Sequence, residues 1–383
     1  MSQSQRLPNP FRPGQGATPP LLVGRADDIR DFEDGILDGT GAHGRFPLYT
    51  GARGVGKTVM LSEAVETAHR YGWRNIDETT TPGLLARLDE QVTFMYEEYK
   101  PRKKWRATGF TLAPVGAVSI APTPALTAGL RRKMALLMDE IQLASPGSGL
   151  LVTIDEIHAS SEDLREFAAI MQHYIREDRD IAVAMAGLPS SVSTLLSDGN
   201  DNRITTFLRR ADKKTLGDVD IAEIRAALVQ TIEENGREIS AEAADFAAQA
   251  TYGYPFLIQL VGHRIWRATD NQTITLTDAQ QGVERAKRSL GELVHETALG
   301  DLSSQDKTFL LAMAADDGPV KMKDVRERMG SVTKQHANTY RERLLAAKVI
   351  TQPEHGLVDF ALPYMRAYLR EHAAAIGINA EQD

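Results

Sequence analysis

Over residues 21–218, short apolar runs alternate with longer segments whose apolar residues recur at helical spacing. Each short run predicts a buried strand, and each amphipathic segment predicts a helix packed on the sheet. This alternation predicts an α/β fold, with a mostly parallel sheet covered by helices on both faces. The predicted strands are Phe46–Thr50, Trp73–Ile76, Gly149–His158, Ile181–Gly187 and Lys214–Leu216, and the predicted helices between them are Thr58–Arg70, Pro82–Tyr99, Leu126–Ala144 and Glu162–Asp178.

The pattern changes twice in the second half of the chain. It is mainly helical up to Leu299, which predicts a helical lid whose last helix covers 278–299. After Leu302, three helices and a hairpin predict a winged-helix domain. The first 20 residues are rich in proline and contain no acid, so they predict an extended arm. The predicted domains are the arm at 1–20, an α/β core at 21–218, the lid at 219–299, the winged helix at 300–375 and a tail at 376–383.

The segment between the first predicted strand and the next helix has the pattern G-x-x-x-x-G-K-T. This pattern is typical of a phosphate-binding loop, whose glycines let backbone N–H groups and a helix N-terminus cradle phosphates. Lys57 is expected to reach the β- and γ-phosphates, and the Thr58 hydroxyl to ligate Mg²⁺. The residues expected to bind the nucleotide here are Gly51, Ala52, Arg53, Gly54, Val55, Gly56, Lys57, Thr58 and Val59.

Two acids, Asp155 and Glu156, lie near the end of the third predicted strand. In an open parallel sheet, this end of the strand lies at the same edge as the phosphate loop. Asp155 is therefore expected to orient the Mg²⁺ shell, and Glu156 to polarise the attacking water as a general base. Together the two motifs predict an ATPase that uses ATP and Mg²⁺.

Composition narrows the function classes. The chain has no cysteine, which excludes a disulfide framework, a thiolate metal site and a cysteine nucleophile. It has no apolar run of transmembrane length and no signal peptide, so the prediction is a cytoplasmic protein without membrane contact. The net charge of −8 argues against a wholly basic nucleic-acid coat.

Local charge departs from this acidic balance in one segment. Between Tyr99 and Met138 there are eight basic residues and no acid, and a hairpin insertion is predicted at about 100–124. These residues are either solvated and idle, or a protrusion that meets nucleic acid or an acidic partner. The third helix region of the winged helix, 331–349, carries four basic residues against one acid, which suits DNA contact, although winged helices also serve oligomerisation or autoinhibition. The basic residues of the segment are Lys100, Arg102, Lys103, Lys104, Arg106, Arg131, Arg132 and Lys133.

Taken in order, the motifs resemble AAA+-type ATPases, with the closest branch akin to origin-recognition proteins and STAND signalling ATPases. The resemblance covers roughly residues 20 to 372. It rests on Val23-Gly24-Arg25, the phosphate loop, Asp155-Glu156, Ala186-Gly187-Leu188-Pro189, Gly253-Tyr254-Pro255 and the winged helix.

The resemblance implies further site residues. Val23, Gly24 and Arg25 would line the adenine pocket, and Tyr254 and Pro255 would approach the base or sugar from the lid. Arg209 or Arg210 would be an arginine finger directed at a neighbouring copy, or else a surface pair. Ser190 would either sense the γ-phosphate or cap a helix.

One departure from the family pattern bears on the rate of hydrolysis. Many AAA+ lids carry an arginine beside the lid glycine, whereas Gly253 is followed here by Tyr254, Pro255 and Phe256. Hydrolysis is therefore expected to be slow, with the nucleotide acting as a molecular switch. The expected function is a DNA-associated ATPase that contacts double-stranded DNA through the winged helix and the basic hairpin. The alternative is a signalling or defence ATPase that forms homo-oligomers or assembles with protein partners without DNA.

Overall fold

The structure is a computed structural model that describes residues 7–14, 22–99, 129–157, 162–197, 207–300, 302–330, 332–374 and 376. The hairpin insertion predicted at about 100–124 lies outside these residues. Among the helices of the described ranges, none is both long and apolar enough to cross a bilayer.

A five-stranded parallel sheet forms the centre of the first half of the chain. Its strands are β1 (Pro47–Thr50), β2 (Arg74–Thr79), β3 (Leu150–Ile157), β4 (Ile181–Gly187) and β5 (Asp212–Thr215). Their order is β2-β3-β4-β1-β5, and every neighbouring pair is parallel. β4 is buried along its whole length because helices cover both faces of the sheet. The predicted α/β fold with a parallel sheet is confirmed.

Helices on the two faces of the sheet belong to two separate hydrophobic clusters. α1 and α2 pack on one face with Tyr49 and Leu151, whereas α3, α4, α5 and α6 pack on the other with Leu48 and Val152. Neighbouring strand residues thus point to opposite clusters, as the period of a strand requires. The helices are α1 (Ala26–Leu37), α2 (Lys57–Arg70), α3 (Leu84–Tyr99), α4 (Leu130–Ala144), α5 (Glu162–Arg176) and α6 (Pro189–Ser197).

A buried arginine ties α1 to the amino end of β4. The Arg45 side chain is 2% exposed, and its Nη1 lies 3.0 Å from Oδ1 of Asp180. Its other guanidinium nitrogens donate to the carbonyls of Gly35 and Ile36, at 2.8 and 3.1 Å. The guanidinium also lies 4.9 Å from the ring centroid of Trp73. Each guanidinium nitrogen of Arg45 therefore has a hydrogen-bond partner, which is the condition for burying an arginine.

The lid consists of helices with a two-stranded parallel sheet between them. Short polar caps start its helices: the Asp220 carboxylate accepts from the backbone of Ala222, and Thr275 and Asp278 form a capping box. Its elements are α7 (Ile221–Glu234), β6 (Glu238–Ile239), α8 (Ala241–Gln249), α9 (Pro255–Trp266), β7 (Thr273–Ile274), α10 (Leu276–Leu290) and α11 (Glu296–Gly300).

The last lid helix is not continuous, although the sequence predicts one helix over 278–299. Residues Gly291–His295 form a π-helical turn between α10 and α11. A Cβ at Gly291 would lie 2.8 Å from the ring of Tyr368, so glycine lets that ring pack against the helix backbone. His295 lies in the same contact, with its ring centroid 5.1 Å from that of Tyr368. The α-helix is thus interrupted at the residues where it packs against the C-terminal unit.

The C-terminal unit, residues 302–376, contains helices and a three-stranded antiparallel sheet of order β8-β10-β9. The three predicted helices and the hairpin are present, and β8 is an additional strand of two residues, too short to show an alternating pattern. The elements are α12 (Ser304–Ala314), β8 (Val320–Lys321), α13 (Met322–Arg328), α14 (Lys334–Ala346), β9 (Ile350–Thr351), β10 (Leu357–Phe360) and α15 (Met365–Glu371).

The lid and the C-terminal unit share the cluster that covers the α1–α2 face of the sheet. Two contacts of Tyr364 illustrate the packing between them. Its hydroxyl donates to the carbonyl of Ala250 at 2.8 Å, and its ring centroid lies 5.0 Å from Nζ of Lys287. The predicted boundary at about residue 300 therefore crosses a packed interface.

Part of the predicted extended arm is docked on the lid. Residues 7–14 contain no helix or strand, but the Phe11 side chain is 3% exposed and belongs to the shared cluster. The Asn9 side chain donates to the carbonyl of His263 in α9 at 3.0 Å. The described part of the arm is thus a packed part of the fold.

Candidate functional site

The predicted phosphate loop lies between β1 and the N-terminus of α2. Gly54 and Gly56 have φ values of +74° and +94°, a region that glycine adopts without strain. Nζ of Lys57 donates to the carbonyls of Gly51 and Ala52, at 3.0 and 2.7 Å. Burial lowers the pKa of Lys57, and the charge of Asp155 opposes that effect. The lysine is therefore folded back over its own loop, with an acid nearby.

The acids at the end of β3 lie beside this loop, although β4 separates β3 from β1 in the sheet. The Thr58 hydroxyl donates to Oδ2 of Asp155 at 2.7 Å. Glu156 has a φ of +54° and donates its backbone N–H to Oδ1 of Asp155 at 2.8 Å. The register of β3 against β4 shifts between Ile154 and Ile157, so the strand bulges at the acids. The bulge leaves the Glu156 side chain exposed at the sheet edge.

The lid binds the loop from the other side through the start of α9. The Tyr254 hydroxyl donates to the carbonyl of Arg53 at 2.8 Å, and the backbone N–H of Phe256 donates to the carbonyl of Gly54 at 3.1 Å. A Cβ at Gly54 would lie 2.0 Å from the Tyr254 hydroxyl oxygen, so the contact requires glycine. Burial raises the pKa of Tyr254 above its ordinary value of 10.0. This tyrosine, expected to approach base or sugar, lines the adjoining cavity and directs its hydroxyl to the loop backbone.

Arg25 links the phosphate loop to the segment that leads into the lid. Its Nη2 donates to the carbonyl of Gly217 at 2.6 Å and lies 3.5 Å from the carbonyl of Val55. Burial lowers the pKa of Arg25. Its neighbour Val23 lines the adjoining cavity, whereas Gly24 does not, because its backbone, with a φ of +68°, packs against Val219.

A cavity of about 860 Å³ extends from the phosphate loop along α9. The loop and the acids line one end of it, and apolar residues of the lid and of the segment before α1 line the other. Gly51 and Ala52 are absent from the lining. The lining residues are Arg12–Gly14, Leu22, Val23, Arg25, Arg53–Met60, Asp155–Ile157, Gly187, Leu188, Ser191, Tyr254–Phe256, Ile258, Gln259, Leu293, Val294 and Thr297.

Several residues of this lining were not predicted as site residues, among them the arm residues Arg12–Gly14, Leu22 before α1, Ile258 and Gln259 on α9, and Leu293, Val294 and Thr297 around the π-helical turn. An amphipathic pattern indicates which residues of a helix are apolar, but not which of them line a cavity. The break in the predicted last lid helix gives no local signal either. These lining residues could therefore be identified only from the tertiary structure.

The remaining predicted residues lie away from the cavity. Arg209 and Arg210 are exposed, and Arg209 lies 3.5 Å from the carbonyl of Leu196. Ser190 is the second residue of α6 and does not line the cavity, whereas Ser191 does. The structure thus places the arginine pair on the surface of its own subunit.

The loop and the acid together can hold a hydrated magnesium ion. Mg²⁺ takes oxygen ligands and is commonly bound by one or two protein groups, with waters and substrate phosphates completing the octahedron. The Thr58 hydroxyl and the Asp155 carboxylate, 2.7 Å apart, supply such a pair beside the loop. Within the described ranges no cluster of three His, Asp or Glu residues is present that would hold a metal by itself. The donor set fits a nucleotide-dependent Mg²⁺ site.

Two of the basic residues near the predicted hairpin pair with acids of the fold, Arg131 at the surface and Lys133 in a buried position. Arg131 pairs with Glu177, and Nζ of Lys133 donates to Oδ2 of Asp89 at 2.6 Å. The Lys133 residue is 8% exposed. Part of the local positive charge is therefore neutralised by acids that are distant in sequence.

Comparison with known families gives one partial match. The model of a domain of unknown function, DUF8462, matches residues 292–369, which run from the π-helical turn through the C-terminal unit. No curated protein matches the chain.

Several solved structures are similar over nearly the whole chain. The Walker-type ATPase PABY2304 of Pyrococcus abyssi has a TM-score of 0.61 and 16% identity, covering 91% of this chain and 96% of its own. The ORC2 protein of Aeropyrum pernix has a TM-score of 0.47 and 14% identity, with coverages of 97% and 98%. RuvB of Thermotoga maritima has a TM-score of 0.47 and 12% identity, with coverages of 94% and 98%. The similarity to the P. abyssi protein, together with the parallel sheet, shows that this chain has the P-loop fold of the Walker-type ATPases, as its resemblance to AAA+-type ATPases predicted.

Proposed function

We propose that this chain binds ATP with Mg²⁺, hydrolyses it slowly and uses the nucleotide as a molecular switch. The observation that carries the proposal is the 2.7 Å hydrogen bond between the Thr58 hydroxyl and the Asp155 carboxylate. It joins the predicted phosphate loop to the predicted acidic strand end, although the two are 97 residues apart. A hydroxyl and a carboxylate placed together at a phosphate loop are the protein ligands that a nucleotide-bound Mg²⁺ needs.

The side chains around the loop have separate roles in this proposal. Lys57 exchanges its two loop carbonyls for phosphate oxygens and offsets their negative charge. Glu156, exposed at the bulge, accepts a proton from the attacking water. Bound Mg²⁺ would neutralise charge on the β- and γ-phosphates. Arg209 or Arg210, exposed on the surface, would supply positive charge to the site of a second copy.

The π-helical turn supports the switch. Leu293, Val294 and Thr297 line the cavity, while Nε2 of His295 lies 2.9 Å from the carbonyl of Pro363 in the C-terminal unit. One short segment therefore contacts both the cavity and the C-terminal unit. A nucleotide that displaces the residues facing the cavity also changes the packing of His295 on the C-terminal unit. The nucleotide-bound and nucleotide-free states would then differ in this contact, as a switch requires.

We propose that the C-terminal unit is a winged helix with α14 in the position of a recognition helix. The order helix, strand, two helices and two strands supports this assignment. In the DNA-associated form of the proposal, the polar surface of α14 contacts phosphates and base edges. Lys334 and Lys348 are exposed and available for such contacts.

Another observation favours the alternative, in which the unit binds protein. Nη2 of Arg343 lies 2.7 Å from Oδ1 of Asp306, a residue 4% exposed, and Arg341 lies 3.6 Å from Glu342. Half of the basic residues counted on this helix region are therefore paired within the chain. A unit with this reduced charge suits assembly with a protein partner or a second copy better than binding to a polyanion.

The test measures ATP turnover by purified protein while double-stranded DNA is titrated in. Lys57→Ala and Glu156→Gln should abolish turnover, and Glu156→Gln should still bind ATP. Lys213→Ala, which removes an exposed lysine on β5, is the matched control and should keep wild-type turnover. Turnover that survives in Lys57→Ala would overturn the ATPase proposal.

The same samples separate the two partner classes. Turnover that rises with DNA supports the DNA-associated form. Turnover indifferent to DNA, combined with an ATP-dependent increase in mass of Glu156→Gln protein in light scattering, supports assembly between copies. An unchanged monomer in every nucleotide state and with DNA would contradict both forms of the switch.

A further inference from the structure

The arm at residues 7–14 is anchored on α9 by one aromatic side chain and several hydrogen bonds. Phe11 packs on Gly262, where a Cβ would lie 2.3 Å from the phenyl ring, so glycine is required for the ring to fit. The backbone N–H of Arg12 donates to Oε1 of Gln259 at 3.1 Å, and Asn9 donates to the carbonyl of His263. The arm therefore follows α9 across two successive turns.

The position of the arm along α9 places it at one end of the cavity. α9 starts at the phosphate loop, where the N–H of Phe256 bonds to Gly54. Gln259 and His263 lie about 4.5 and about 10.5 Å beyond Phe256 along the helix axis, at the usual rise of about 1.5 Å per residue. The arm contacts this more distant part of the helix. It lies away from the end where phosphates would bind.

This end of the cavity has the character of a site for a nucleoside. Arg12, Pro13 and Gly14 form one wall, and apolar residues of the lid and of the segment before α1, including Val23 and Ile258, form others. A purine ring presents flat apolar faces with polar edges, and ligand sites combine apolar walls with a few polar groups. The Gln259 amide, held by the arm backbone, is one such polar group.

We propose that the arm is part of the nucleotide site and forms the wall that holds the base and ribose. Phe11 is its positioning residue: it does not line the cavity, and it holds Arg12–Gly14 and Gln259 in place. The inference rests on the proposed function, because it assigns the base end of the same cavity. It predicts that the arm contributes to affinity for the nucleoside part of ATP and not for its phosphates.

The test compares two ligands on the full chain, ATP and inorganic tripolyphosphate, each with Mg²⁺, by calorimetric titration. Phe11→Ala should weaken ATP binding about tenfold or more, because a preorganised wall becomes a mobile segment. Its affinity for tripolyphosphate should stay at the wild-type value. Leu7→Ala is the matched control: Leu7 belongs to the arm but is 42% exposed and does not line the cavity, so both affinities should be unchanged.

A second variant covers the case in which Phe11→Ala does not fold. Pro13→Gly changes the wall and keeps both the Phe11 anchor and the Arg12 charge, and it should show the same selective loss of ATP affinity. Wild-type ATP affinity in the folded variants would overturn the inference, as would an equal loss for both ligands, which indicates general damage to the lid. Wild-type protein that binds tripolyphosphate but not ATP would overturn the proposed function itself.

Discussion

His295 gives a measurable link between pH and the packing of the lid on the C-terminal unit. Its side chain is 1% exposed, its Nε2 faces the Pro363 carbonyl at 2.9 Å, and its Nδ1 is buried without a hydrogen-bond partner. Burial lowers the pKa of His295 from 6.5 to about 4, with the Pro363 hydrogen bond opposing the shift. The folded protein therefore keeps this imidazole neutral, with the proton on Nε2 where the carbonyl can accept it.

The sign and size of the effect follow from linkage. The folded-state pKa is depressed, so the stabilisation is complete above pH 6.5 and is lost as the pH falls towards 4. A difference of one pKa unit corresponds to about 1.4 kcal/mol, so the full loss is about 3 kcal/mol. At pH 5 the unfolded chain is almost fully protonated at this residue and the folded chain is not, which gives a loss of about 2 kcal/mol.

The assay compares wild type with His295→Gln, a variant whose amide can still donate to the Pro363 carbonyl but does not titrate. Urea unfolding followed by circular dichroism is measured for both proteins at pH 7.5 and pH 5. Contributions from carboxylates are common to both proteins and cancel in the difference. The wild type should lose about 2 kcal/mol more than the variant between the two pH values.

Two results would refute this reasoning. One is an equal loss of stability in the two proteins between pH 7.5 and pH 5. The other is direct: in spectra of protein with ¹³C-labelled histidine, a resonance that titrates near pH 6.5 and is absent from His295→Gln would show that the buried imidazole accepts a proton in the folded state. Because the Tyr368 ring contacts both His295 and His372, the resonances of these two histidines have to be assigned separately.

Two further predictions concern the loop and the buried arginine. Gly54→Ala places a Cβ 2.0 Å from the Tyr254 hydroxyl oxygen at a φ of +74°, so nucleotide affinity in calorimetric titration should fall at least tenfold, and equal affinity of this variant and wild type would contradict the lid contact. Tyr254→Phe removes only one hydrogen bond and should lower the free energy of unfolding by about 1 kcal/mol. Arg45→Met removes the donor to Oδ1 of Asp180 and to two backbone carbonyls, while Oδ2 of Asp180 keeps the Gln142 amide as its donor. The variant should lower the free energy of unfolding by about 3 kcal/mol. Arg30→Ala, which removes an exposed ion-pair partner, is its control and should be indistinguishable from wild type in urea unfolding.

The sheet could be predicted because its signals are local. The inner strands β1, β3 and β4 are short, largely apolar runs, whereas the edge strands β2 and β5 are largely polar. The loop motif fixes the strand before it and the helix after it, and the alternation of strands with helices implies parallel strands. Parallel strands end at one edge, so the approach of Thr58 to Asp155 follows from the same pattern. The parallel sheet and the meeting of the two motifs thus follow from the order of strands and helices along the chain, which can be read from the sequence.

Other features depend on contacts between distant residues. Asn9 and His263 are 254 positions apart, and the proline-rich composition around Asn9 indicates an extended chain whether it is free or docked. The pairing of Arg343 with Asp306 likewise removes charge that a count along α14 includes. The hydrogen bond of the Tyr254 hydroxyl depends on which part of the lid contacts the phosphate loop. In each case the contact joins residues that are far apart in the sequence, so the pattern of neighbouring residues does not predict it.

The ends of α3 and α4 have a consequence for the electrostatics of the cavity. Nε of Arg74, at the start of β2, donates to the Tyr99 hydroxyl at 2.7 Å, and Arg131 pairs with Glu177 just before β4, so both helix ends lie at the amino edge of the sheet. The phosphate loop lies at the opposite edge. β3 has eight residues and is thus about 25 Å long, and charges interact over a screening length of about 8 Å at physiological ionic strength. The positive charge of Arg131–Lys133 is therefore largely screened from the nucleotide cavity of its own subunit. The basic side chains that line this cavity are Arg12, Arg25, Arg53 and Lys57, and the backbone N–H groups of the loop add to their charge.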